Sequence, residues 1–436
     1  MARPRTFTNW SRVFRSTPRE WHAPSSETEL LELFDRARRE NLRLKVVGTG
    51  HSWSDIAVPD ELAVDLGAMR GVIACEGESL TVLGGTRLFE ITQALDARGL
   101  AMPILGSIAE QTIAGAIGTG THGSSLAHGN LASLVTALRL VTPTGEVLDL
   151  DGADSRLAAA RVHLGALGVV TRVTLRVTPA FNLRERREPM PIGAVIKELD
   201  GLARSAEYVK LWWLPSTGKA VVFRYERTTE PASFSRALHF LDEVIVNRTL
   251  FEGILRAARR VPSVTASVNA LVASTYLGAS SVVRRSDRAF NLAMPPIHRE
   301  AEWAIPLART PAALEDLAAV IERLGLRVNF PCELRFVPRD DAWMSPAYGE
   351  DVCHVGVYQA ENPDLRRYFD EAERIAARHG GRPHWGKESS WRRAELFARY
   401  PKADDFEALA RALDPDAILE NAFLSRVLGP RRHARR

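Results

Sequence analysis

Several short clusters in this 436-residue chain combine residue types that can do chemistry. Gly48-Thr49-Gly50-His51-Ser52 holds an imidazole between small residues, so a large flat ligand could come against the ring. A lone histidine is more often a polar loop residue, and only its neighbours raise its standing. Gly118-Thr119-Gly120-Thr121-His122-Gly123 spells the GxGxxG pattern. Backbone amides without side chains in the way can approach a pyrophosphate closely, although glycines also serve plain turns. Glu333-x-Arg335 falls in a strand-like run, which puts both side chains on one face. On sequence alone, a surface cross-strand ion pair is the better reading of that pair. Arg382-Pro383-His384-Trp385-Gly386-Lys387 packs bases and an indole beside a glycine, a reactive cluster or a turn with a stacked ring.

The elements around these clusters narrow the choice. A dinucleotide fingerprint needs a buried strand before it, a helix after it and an acid about 20 residues on. Here 111–117 makes a poor strand and the following SSLAHGN no helix, which speaks against a nicotinamide site. Ser26-x-x-Glu29 reads as a capping box opening a helix, with Leu30, Leu31, Phe34 and Ala37 as its apolar stripe and Asn41 as its end. Leu42, Leu44 and Val46 then alternate with Arg43 and Lys45 as a strand running into His51. Hairpins are expected at Gly77 and at Thr144-Gly145, a helix over LFEITQALDARG, and a long Gly-rich stretch over 106–129. Beyond Pro179, EYVKLWWLPSTGKAVVFRYERT predicts two strands and 234–275 is mostly helical in pattern. AEWAIPL, PCELRFVP and CHVGVYQ predict three more strands, with the helix TPAALEDLAAVIERLG among them. No repeat or low-complexity segment is present.

Composition bounds the rest. At 45% hydrophobic and 25% charged residues the chain reads as an ordinary globular protein, long enough for two domains. Its net charge of +4 is matched by Arg431, Arg432, Arg435 and Arg436, a short basic tail that gives no reason to expect nucleic acid. Cys75, Cys332 and Cys353 are too few and scattered for a disulfide framework or a zinc knuckle, so no metal is expected. A reducing, cytoplasmic location is expected, since the N-terminus carries no apolar signal core. The uncharged stretch 261–283 is long enough to span a bilayer but is diluted by serine, threonine and asparagine, and reads as a packed or surface-lying segment. HExxH, G-x-S-x-G and Walker-type loops are absent, which disfavours zinc hydrolysis, acyl transfer and phosphoryl transfer.

Read in order, VVGTGHSWSDIA, GSIAEQTIAGAIGTGTHGSS and LGALGVVTRVTL closely resemble the flavin domain of the vanillyl-alcohol oxidase superfamily. CELRFVPRDDAWMSPAYG, GRPHWGK and ALDPDAILENAFLSRVLG resemble its sugar-acid branch, the aldonolactone and alditol oxidases. The resemblance implies an α+β flavoprotein of two domains. An FAD-binding domain would occupy 1–180 and a substrate or cap domain 181–394, with 395–436 packing back on the first. It also implies FAD linked covalently to His51, with the pyrophosphate on the backbone of Gly48, Thr49, Gly50, His51 and Ser52 and of Thr119, Gly120, Thr121 and His122. Ser107, Thr112 and Gly115 match further flavin contacts, and Val169 or Val170 the adenine end. Glu333 and Arg335 match the active-site pair, Lys387 the active-site lysine and His354 a fourth position.

The implied reaction takes hydride from a carbinol carbon to the flavin while the hydroxyl loses its proton. Gly106 matches a gate position where small residues admit oxygen, so oxygen is expected as acceptor ahead of another electron acceptor. A small polyhydroxylated substrate follows. An aldono-1,4-lactone oxidised at C2 is favoured by AEYVKLWWLP and ARVHLGALG, whereas SPAYG matches the alditol branch. A flavin-binding protein without turnover is the alternative from another class. Weak membrane association, as in lactone-oxidising relatives, would arise in 236–283.

Overall fold

The computed structural model describes residues 5–215, 217–233, 265–275, 278–291 and 296–431, with 253 and 263 singly. Most of segment 236–283, to which membrane association was assigned, lies outside them. No described helix is long and apolar enough to cross a membrane.

A short antiparallel pair, Phe7–Thr8 with Arg15–Ser16, precedes a small parallel sheet. Helix Glu27–Glu40 starts where Ser26 accepts a bond from the Glu29 amide and stops at Asn41, in the left-handed conformation at φ 52°. The Glu29 carboxylate turns back to Ser25 and not to Ser26, so the box closes one residue earlier than the sequence predicts. Leu30, Phe34 and Ala37 are buried against Leu44, Leu62 and Val64. Each large side chain so buried contributes about 1.5–3 kcal/mol. Strand Leu62–Asp65 lies between Glu20–His22 and Leu44–Val47, parallel to both. The short strand Glu20–His22 was not legible: three half-buried residues carry no period.

A five-stranded antiparallel sheet follows, in the order Val147–Leu150, Val135–Val141, Val169–Arg176, Ser79–Leu83, Val72–Glu76. Both expected hairpins turn at glycines of positive φ, Gly77 and Gly145. The Gly-rich stretch holds one element that the sequence did not predict, the helix Ile113–Gly118, capped by Thr112.

The second half is built on one eight-stranded sheet. Its order is Ser280–Arg285, Asn182–Pro191, Lys219–Thr228, Tyr208–Leu214, Cys332–Val337, Val352–Gln359, Arg299–Pro306, Arg382–Pro383. Helices Thr310–Leu324 and Leu365–Arg378 pack together, each burying one apolar stripe. The C-terminal segment returns to the first half. Ile418 and Leu419 join the core around Leu30, Asn421 donates to the carbonyls of Asp55, Ile56 and Val58, and Arg426 pairs with Asp55 at 2.7 Å.

Candidate active site

Strand Leu44–Val47 ends at a cleft that is open to solvent. Gly48, Thr49, Gly50, His51, Ser52, Thr112, Gly115, Thr119, Val169 and Val170 all line it. The chain must turn sharply here: Gly50 sits at φ 73° and its carbonyl accepts from the Trp10 amide. A Cβ on Gly48 or Gly115 would come within 3.0 Å of the Thr112 hydroxyl, so the two loops approach as closely as backbone allows. Glycine leaves the amides exposed for an anionic ligand. His51 lies 2.9 Å through Nδ1 from the Thr49 hydroxyl, and burial lowers its pKa.

Gly106, Ser107, Gly120, Thr121 and His122 do not line this cleft. Gly106 and Ser107 stand beside the large sheet: the Gly106 carbonyl accepts from Asn291, and the Ser107 hydroxyl from Arg335 at 2.7 Å. A Cβ on Gly106 would meet the Thr121 methyl at 2.9 Å. Gly120, at φ 71°, makes the turn that carries the chain on to His122.

The other wall of the proposed site is assembled by strand register, from residues that do not line this cleft. Lys210 is opposite Arg335, Trp212 opposite Glu333, and Arg335 opposite His354. Glu302 is opposite Gly356, which is also opposite Glu333, and Glu300 is opposite Tyr358. Directly opposed residues share a face, so these polar side chains all project from one side of the sheet.

Glu333 is 6% exposed, which settles its reading: it is no surface partner. It receives bonds from Arg335 at 2.7 Å, Trp212 at 2.9 Å and Tyr358 at 2.8 Å. Burial pushes its pKa up, but the charges of Arg335 and Lys210 and the Trp212 bond prevail and hold it at about 2. The Arg335 Nε is buried and has no hydrogen-bond partner among the described residues.

Lys387 reaches the same face from the segment after Arg382–Pro383. That segment is clasped by the loop that carries His51: the Trp53 amide donates to the Gly386 carbonyl and the Ser54 hydroxyl to the Trp385 carbonyl, both at 2.7 Å. Lys387 Nζ lies 2.5 Å from Glu300 and 4.0 Å from the centre of the Trp53 ring. Burial, only partly offset by Lys387, raises the Glu300 pKa to about 7. His354 is buried, with Nδ1 2.8 Å from Glu302 and its ring stacked on His122 at 3.7 Å. His122 bonds the same Glu302 oxygen at 2.7 Å. Burial and the neighbouring His122 lower the His354 pKa to about 4. No metal was expected, yet His122, Glu302 and His354 offer ligand atoms within 4.8 Å of one another. A cation would have to displace both contacts to Glu302.

Glu300, Glu302, Trp212 and Tyr358 were not singled out from the sequence. Glu300 and Glu302 alternate in the strand-like run that includes AEWAIPL, the same i, i+2 signal that marked Glu333 and Arg335. The donor set fits a flavin. Glycine-lined loops leave room for a dinucleotide, and Arg335 directs an unpartnered buried donor into the protein interior.

Residues 19–151 match the family model described as an FAD binding domain, and residues 173–427 match D-arabinono-1,4-lactone oxidase. An L-gulonolactone oxidase of Scyliorhinus torazame is 33% identical, over 96% of this chain and 97% of its own. An L-gulono-1,4-lactone dehydrogenase of Mycobacterium tuberculosis is 34% identical, over 97% and 99%. The crystal structure of cholesterol oxidase from B. sterolicum has the same fold: its TM-score is 0.82 at 17% identity, covering 97% of this chain and 96% of that one. The cofactor is FAD, and the chain belongs to the D-arabinono-1,4-lactone oxidase family of FAD-linked oxidoreductases acting on CH–OH groups.

Proposed function

We propose that this protein oxidises an aldono-1,4-lactone at C2, with FAD joined to His51 and oxygen as the final acceptor. One observation carries the chemistry: two charge pairs, Arg335–Glu333 and Lys387–Glu300, share one sheet face, with Tyr358 bonded to Glu333 and directly opposite Glu300. Bound FAD supplies the hydride acceptor. Glu333 stays ionised at neutral pH and accepts bonds from substrate hydroxyls, while fixing Arg335. Arg335, whose Nε is unpartnered among the described residues, would stabilise negative charge on the flavin, electrostatic stabilisation set up in advance. The C2 hydroxyl proton passes to the Lys387–Glu300 pair. His354, held by Glu302, fixes the substrate from the neighbouring strand.

His51 suits attachment. With Nδ1–H donating to Thr49, its Nε2 lone pair is free, and burial keeps the ring neutral. The lactone reading is favoured over an open polyol because relatives aligned along nearly the whole chain are named for lactones. Both an oxidase and a dehydrogenase are among them; Gly106 favours the oxidase, and oxygen consumption with lactone tests it. Cytoplasmic location with weak peripheral membrane contact completes the reading, and recovery of all activity in a salt-washed soluble fraction would count against the membrane contact.

The test of attachment is the visible spectrum of acid-precipitated, redissolved protein. Yellow colour staying with the pellet is expected; colour released to the supernatant rejects the His51 bond. A colourless protein, purified with FAD supplied, rejects the functional reading.

A further inference from the structure

Lys45 is buried within strand Leu44–Val47, and its Nζ has no hydrogen-bond partner among the described residues. Burying an ammonium without a partner is costly, and the carboxylates whose charges act on it, Asp55, Asp60 and Asp414, are bonded to other groups. Asp55 is taken by Arg426, Asp60 by Arg43, and Asp414 by Arg431 and the amides of Ile418 and Leu419. His163 uses both ring nitrogens, one toward the Ala114 carbonyl and one accepting from the Gly165 amide. Lys210, equally buried, differs: its ammonium faces the rings of Trp212, Phe223 and Tyr225. Burial lowers the Lys45 pKa to about 8.

The side chain lines the flavin cleft. Lys45 precedes the Gly48 turn by three strand residues, roughly 10 Å along the chain, on the side away from His51. A Cβ on Gly165 would lie 3.3 Å from Nζ, and Gly165, Val169 and Val170 line the same cleft. We propose that Lys45 is a cofactor-binding residue whose ammonium donates to the adenosine half of FAD. This rests on FAD occupying the cleft with its flavin ring toward His51. The adenosine half offers ring nitrogens, ribose hydroxyls and the adjoining phosphate as acceptors, the partner Lys45 lacks.

The experiment uses the full chain carrying His51→Ala, so that binding is reversible, with and without Lys45→Met. FAD, ADP and FMN are each titrated into the flavin-free protein, and its melting temperature is recorded. FAD and ADP should bind at least about tenfold more weakly to the variant, the scale of one charged hydrogen bond. FMN, which lacks the adenosine half, should bind as before. The flavin-free variant should melt no lower than its parent, because an uncompensated charge has gone. A lysine that only supports the fold would instead lower that temperature and leave the three affinities in proportion. If Lys45→Met does not fold, Lys45→Gln provides the same comparison. Unchanged FAD affinity overturns the proposal, and equal weakening of FMN overturns the adenosine placement. A parent chain that binds no FAD overturns the cofactor reading as well, which separates the two failures.

Discussion

The two walls of the site are made differently. The cleft around His51 is built from turns, glycines and one short helix. The opposing sheet face is side chains throughout, buried charges held in pairs by neighbouring strands. A backbone wall can bind any ligand that presents oxygens to its amides, so on the proposed reading it holds the cofactor. A wall of paired charges is tuned to one reaction, because each partner sets the protonation of the next. Substitutions on the first wall should therefore change how much flavin is held, and those on the second how fast it is reduced.

The largest expected break is Arg335→Met. It leaves Glu333 buried without its cation and should destabilise the protein by about 3–5 kcal/mol. Flavin reduction should slow by about 10²–10³-fold, as when a transition-state donor is lost. Denaturant unfolding and stopped-flow reduction check both parts. Lys387→Met should slow reduction by about 10²-fold or more while flavin content stays normal. An unchanged reduction rate would remove the lysine from proton transfer.

Glu300→Gln sharpens the same wall. Glu300, with its pKa raised to about 7, is protonated at low pH and cannot help to take a proton. Reduction should therefore rise with pH through about 7 in the parent chain, and Glu300→Gln should flatten that limb. A limb that persists in the variant assigns it to another group. The smallest effect is expected on the backbone wall. Gly50→Ala has room for its methyl but must hold φ at 73°, a cost of about 1 kcal/mol or more. Flavin content should fall, while the flavin that remains is reduced at the parent rate.

The two walls were also unequally legible. GxGHS announces a backbone built for close approach, whereas of GTGTHG only Gly118 and Thr119 line the cleft. Helix Ile113–Gly118 was not foreseen, because its small residues give no apolar stripe. On the sheet face, Glu333 and Arg335 read as an ordinary surface pair until resemblance gave them a role, since alternation shows that two side chains share a face but not whether the face is covered. Glu300 and Glu302 went unnoticed for the same reason. Their burial depends on the register of Arg299–Pro306 with Val352–Gln359, a long-range pairing that no local pattern encodes. Lys45 shows the reverse. It fitted the solvent side of an alternating strand, and tertiary packing against the 163–165 turn buried it.

The central claim is that these walls together oxidise a lactone. It is tested most directly by mixing the purified yellow protein anaerobically with gulono- or arabinono-1,4-lactone, and separately with xylitol, while following flavin absorbance. Rapid bleaching by a lactone and none by xylitol is the predicted result. Bleaching by xylitol alone, or by none of them, would contradict the account.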